Sequence, residues 1–158
     1  MAIYSSYHET TGNKVCHFVG IPAIVWSLMV GLALPGAIAF GNLAITLAHV
    51  VVLALLAYYL RLDLALGIAA VAVFTVMLVS ALQVAAMPGA WWIALVVFAG
   101  GWVFQLVGHA VWEHKRPALV DNLFQVFVAP IFLMAEVAFG LGFKKELKAT
   151  LDSGLAPA

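Results

Sequence analysis

The chain has 158 residues, 66% of them hydrophobic and 9% charged, with a mean hydropathy of +1.13 and no formal net charge. A soluble domain carries roughly 25% charged residues, so this composition excludes an ordinary water-soluble globule and reads as an integral membrane protein. The charge balance and the lack of a basic stripe exclude nucleic acid as a partner, and a single cysteine, Cys16, excludes an intrachain disulfide.

The chain opens on the polar stretch "MAIYSSYHETTGNKVCH", which lacks the basic start and short apolar core of a signal peptide. The apolar segments are therefore expected to stay in the protein and direct it to the membrane. Four of them follow, at about 18–34, 42–60, 64–86 and 91–107. They end at "LPG", "RLD", "MPG" and the polar stretch "GHAVWEHKRPALVDN". Each approaches the ~20 residues that a helix needs to cross a bilayer core. Helix is the open choice, because backbone polar groups find no water in lipid.

A fifth run, 118–143, carries Asp121, Asn122, Gln125, Pro130 and Glu136. If four segments cross, Lys14, Arg61, Lys115 and Arg116 fall on one side, and the positive-inside bias assigns that side to the cytoplasm. A fifth crossing would carry Lys144, Lys145 and Lys148 outward. The fifth segment is therefore expected to be re-entrant, kinked at Pro130 or interfacial, with a full span as the alternative. The expected fold is all-α: a polytopic membrane helix bundle of four spanning helices plus this fifth segment. It forms one membrane domain over 1–150, with a disordered tail over 151–158.

In this topology His8, His17, His109, Glu113 and His114 all lie at the cytoplasmic ends of spans. Two distant segments thus deliver imidazoles and a carboxylate to one depth. Neutral imidazole suits Fe, Zn, Cu and Ni, and a mixed histidine and carboxylate set with open positions suits non-haem Fe(II) and oxygen. His109 and Glu113, four residues apart, share a face of a continuing helix, whereas His114 points away.

Other polar residues take plainer roles. His49 is expected to be a packed or hydrogen-bonded residue inside the second segment. Tyr58, Tyr59, Trp91 and Trp92 read as interfacial anchors. Asn13 and Asn122 read as turn or cap residues or as supports for a histidine. Lys115 and Arg116 act as topology signals, and Arg116 could also hold a substrate carboxylate. Glu136 needs a partner if buried, and Arg116 or a site histidine is the expected one.

Tyr7, His8, Asn13, His17, Gly20 and Pro22, with "FQLVGHAVWEHKRPALVDNLFQ" and "APIFLMAE", form a pattern over about residues 1–143 that resembles the membrane-bound 2-hydroxy fatty acid dioxygenases. That family was formerly a domain of unknown function and is known from yeast sphingolipid breakdown. The resemblance implies an Fe(II)-dependent, 2-oxoglutarate-independent enzyme of fatty acid α-oxidation. Its partners are a 2-hydroxy fatty acid, O2 and membrane lipid, and its product is one carbon shorter. It implies His8, His17 and His109 as iron ligands, with Glu113 as a fourth ligand or a support for one. Glu113 and Arg116 are the candidate catalytic residues. Asn13, Gln105, Asp121, Asn122, Gln125 and Glu136 match polar positions of the family; Asn13, Asp121, Asn122, Gln125 and Glu136 are the candidates to support the site or touch substrate, and Gln105 carries no assigned role. The expected location is the cytoplasmic edge of a bacterial inner membrane or the endoplasmic reticulum. The alternative is a small transporter whose histidines relay protons or carry a metal. A transporter should hold polar groups deep in several helices. Here the deep positions are almost bare apart from His49, Gln83 and a few hydroxyls, which favours the enzyme over the transporter; a structural membrane protein whose polar ends anchor its spans is the third reading.

Overall fold

The computed structural model describes residues 10–41, 43–114 and 124–153. Helix α1 (Thr11–Ala33) leads into a two-stranded antiparallel hairpin, β1 (Ile38–Phe40) and β2 (Leu43–Ile45), with Ile38 opposite Ile45. Helices α2 (Leu47–Leu62), α3 (Leu64–Ala85) and α4 (Ala90–Val107) follow. A π-helix (Gly108–Glu113) continues α4, and α5 (Gln125–Gly140) and α6 (Lys145–Asp152) complete the described chain.

Three of these helices are long and apolar enough to cross a bilayer: Thr11–Ala33, Leu64–Ala85 and Ala90–Glu113. Helix α2 is apolar but has 16 residues. It rises about 24 Å, less than the ~30 Å hydrocarbon core. The second segment, expected from residue 42, thus begins at Leu47. Gly36 and Gly41 take positive φ (93° and 61°) and turn the chain, so 43–45 pair as a strand instead of opening the helix. The described architecture is helical apart from this hairpin.

The fifth segment is bent, but not where expected. Helix α5 runs through Pro130, and the 118° change of direction falls between α5 and α6. Gly142 there adopts φ 81° and Lys144 φ 54°, a left-handed backbone that no helix can continue through. Helix α6 extends to Asp152 and buries Leu151, so helix passes the boundary expected at 150.

The chain packs as two compact units. One holds the described residues of Met1–Ile21 and Val103–Ala158, the other Pro22–Trp102. In the second unit, α2 and α3 form a tight helical hairpin. Asp63 ends α2 and starts α3, its carboxylate accepting from the Leu66 N–H at 3.0 Å. The missing side chain of Gly67 lets α3 approach the backbone of Leu60. Tyr59, read above as an interfacial anchor, is instead fully buried edge-on against Phe74, with ring centres 6.0 Å apart. It falls on the same face of α2 as Val52 and Leu56, and helical spacing carries it into the core. Trp91 and Trp92 stay exposed and stack on each other. The Trp26 indole donates to the Ser80 hydroxyl at 2.9 Å and ties α1 to α3. His49 sits in the first turn of α2, where its Nδ1 accepts from the Thr46 N–H at 3.1 Å and closes a capping box. Leu53, Val76 and Val96 are uncovered, as lipid-facing side chains are.

Candidate functional site

The candidate site lies in the unit formed by the two ends of the chain. On α1, Asn13, His17 and Gly20 are buried, spaced by four and three residues along one face. From α4 into the π-helix, Gly101, Gln105, Gly108, His109 and Glu113 are buried, while Phe104, Leu106, Val107, Val111 and Trp112 face outward. The buried stripe thus continues through the change of winding. A π-helix bonds i to i+5, and such single-turn widenings concentrate at functional sites. His114 ends it in a left-handed conformation (φ 53°) and is exposed, outside the buried stripe.

Two glycines let these segments meet. A Cβ on Gly108 would lie 2.5 Å from Asn13 Oδ1 and 2.9 Å from Cys16 Cβ, and one on Gly12 would run into the Trp112 ring. Gly108→Ala is therefore expected to destabilise the protein by about 1–3 kcal/mol through overpacking. A lowered unfolding midpoint in detergent checks this, and an unchanged midpoint argues against the close approach.

The approach brings His17 and His109 edge to face, ring centres 4.8 Å apart and planes at 86°. His17 Nδ1 donates to the Asn13 carbonyl at 2.9 Å. A carbonyl only accepts, so the proton must sit on Nδ1, and a neutral ring then carries its lone pair on Nε2. In that tautomer Nε2 is the nitrogen able to ligate a metal. Glu113 Oε2 accepts from the Thr10 hydroxyl at 2.7 Å, the Thr10 N–H at 3.2 Å and Asn13 Nδ2 at 3.2 Å. These bonds hold the carboxylate at the N-terminus of α1, where the helix dipole favours negative charge. Asn13 thus serves both the imidazole, through its carbonyl, and the carboxylate, through its amide.

The expected partners of Glu136 were Arg116, which lies outside the described residues, or a site histidine; the partner found among the described residues is Lys14. Glu136 accepts from Lys14 Nζ with both oxygens, at 2.9 and 3.0 Å. Lys14 follows Asn13 on α1 and so faces α5 beside the imidazole face, within reach of Glu136. Sequence reasoning treated Lys14 only as a topology signal. Residue order carries no signal for this pair, because it depends on which helices pack together.

Gln105 and Gln125 are buried, and among the described residues Gln105 Nε2 and Gln125 Oε1 have no hydrogen-bond partner. His8, Arg116, Asp121 and Asn122 lie outside the described residues. Among the described residues, no group of three or more His, Cys, Asp or Glu side chains could hold a metal ion. The described candidates for a metal are the two imidazoles.

Comparison with known proteins gives one family and one curated relative. The profile of the 2-hydroxy-palmitic acid dioxygenase Mpo1-like family matches residues 1–141. The chain is 36% identical over 156 residues to the 2-hydroxy-palmitic acid dioxygenase MPO1 of Saccharomyces cerevisiae, covering 98% of this chain and 87% of the yeast protein. No solved structure matches.

Proposed function

Because the chain belongs to the 2-hydroxy-palmitic acid dioxygenase Mpo1-like family, we propose that it is a membrane dioxygenase that shortens 2-hydroxy fatty acids by one carbon with Fe(II) and O2. The observation that carries this reading is the pair of buried imidazoles, His17 and His109, brought together from opposite ends of the chain. These two imidazoles are the described side chains that would hold a metal between them. The Nδ1-protonated state of His17 suits that role. His17 and His109 would hold the iron together with His8, and Glu113 fixes the segment that carries His109. Bound iron would supply O2 activation and a charge for the hydroxy acid head group.

The chain's own side chains do the rest. Asn13 holds the His17 ring and its tautomer through the Nδ1 proton. The apolar faces of the helices accept the acyl tail and keep water away from the head group. Arg116 or Lys115 would neutralise the substrate carboxylate. One 2-hydroxy acid and one O2 balance as the acid one carbon shorter, CO2 and water. The substrate supplies all the electrons that O2 takes up, so no 2-oxoglutarate is needed. The site opens at the cytoplasmic end of the helices, a sidedness supported by Lys14, Arg61, Lys115 and Arg116.

The test uses purified protein loaded with Fe(II) under argon and then given O2 and 2-hydroxypalmitate. Retained iron, O2 uptake and release of the acid one carbon shorter are expected. Failure to bind iron, or turnover without O2, would overturn the reading.

A further inference from the structure

Gln105 has no role in the reaction as described above. It is 7% exposed, and among the described residues its Nε2 donor has no hydrogen-bond partner. A buried amide left without a partner is destabilising, and a buried apolar side chain of the same size would serve the fold better. Gln105 lies on the buried stripe with Gly108, His109 and Glu113. It stands one helical turn, about 6 Å, from His109 on the side away from the polar end of the span.

We propose that Gln105 is a specificity-determining residue whose side-chain amide donates a hydrogen bond to the 2-hydroxyl oxygen of the fatty acid. This rests on the dioxygenase reading above. The acid's carboxylate belongs at the charged end of the span and its tail among the helices. Its 2-hydroxyl is one carbon further along the tail, and so on the inner side, where Gln105 stands. A neutral amide donor matches a neutral hydroxyl oxygen, while a carboxylate would call for a cation or several N–H groups. A plain fatty acid would leave the amide buried and unpaired, and that is how a site rejects an analogue lacking a hydroxyl.

Gln105→Met keeps the length of the side chain and removes the donor, and Gln105→Leu is the second variant. The affinities of 2-hydroxypalmitate and palmitate are measured for the full chain in detergent, both with Fe(II) under argon and after chelation, so that iron's own contact with the hydroxyl is separated. The preference of the wild type for the hydroxy acid should fall about 10-fold in both variants. Palmitate affinity should hold, and the unfolding midpoint of the unliganded protein should rise. An unchanged preference overturns the proposal. So does equal weakening of both acids with a lowered midpoint, which marks a structural role. If the wild type consumes no O2 with 2-hydroxypalmitate, the dioxygenase reading itself fails and takes this inference with it. If the wild type turns over and the variants keep their preference, only the role of Gln105 fails.

Discussion

His109→Ala is expected to strip the protein of iron and to abolish turnover. His109 is buried against His17, and no other described histidine stands beside the pair. Removing a group that merely orients a ligand costs roughly 10–100-fold in metal affinity or activity. Loss of a ligand should exceed that, and His17→Ala should behave alike. His114→Ala is the control: its side chain is exposed beyond the end of the π-helix, so iron content and rate should both hold. Metal content by mass spectrometry and O2 uptake with 2-hydroxypalmitate read the result. Full iron and full turnover in His109→Ala would show that the site is elsewhere.

Glu113→Ala should carry the largest stability loss of the single substitutions considered, about 2–4 kcal/mol. The carboxylate accepts three hydrogen bonds, two from Thr10 and one from the fully buried Asn13. Its removal leaves the Asn13 amide without this acceptor and takes a negative charge from the start of α1. Glu113→Gln keeps an acceptor oxygen but brings an NH2 against the same donors, so an intermediate loss is expected. Thermal unfolding in detergent measures both, and equal midpoints for Ala and wild type would mean that these bonds contribute nothing net. The loss should also appear in chain without iron, which separates it from any effect through the metal.

Much of this arrangement can be read from residue order. Hydropathy marks the apolar segments, because lipid demands about twenty uninterrupted apolar residues and leaves that demand visible. The four-residue spacing of His109 and Glu113 is legible as one helix face, but it is the left-handed end of the π-helix at His114, not periodicity, that leaves His114 exposed. The π-helix was not legible, since winding at i to i+5 has no residue pattern of its own in "GHAVWE". The hairpin at 38–45 was hidden because Ile38, Phe40, Leu43 and Ile45 are as apolar as the spans beside them. Tyr59 was misread because an amphipathic ring suits an interface and a core equally, and only its face on α2 separates the two. Lys14 and Glu136 could not be matched from sequence, because pairing depends on which helices pack together. The contacts of His8, Arg116, Asp121 and Asn122 lie outside the described residues.

The bonds from Glu113 to Thr10 and Asn13 join residues 103 and 100 positions apart. They therefore set an order of events during synthesis. Ribosomes add roughly 5–20 residues per second. Asn13 and His17 thus wait on the order of 5–20 s before Glu113 has been made. Through that interval the first helix already exists, with its buried amide and imidazole still lacking their later neighbours. A chain halted before α4 would hold the apolar helices α1 to α3 without His109 or Glu113, so the two halves of the site can meet only after residue 113 has been made.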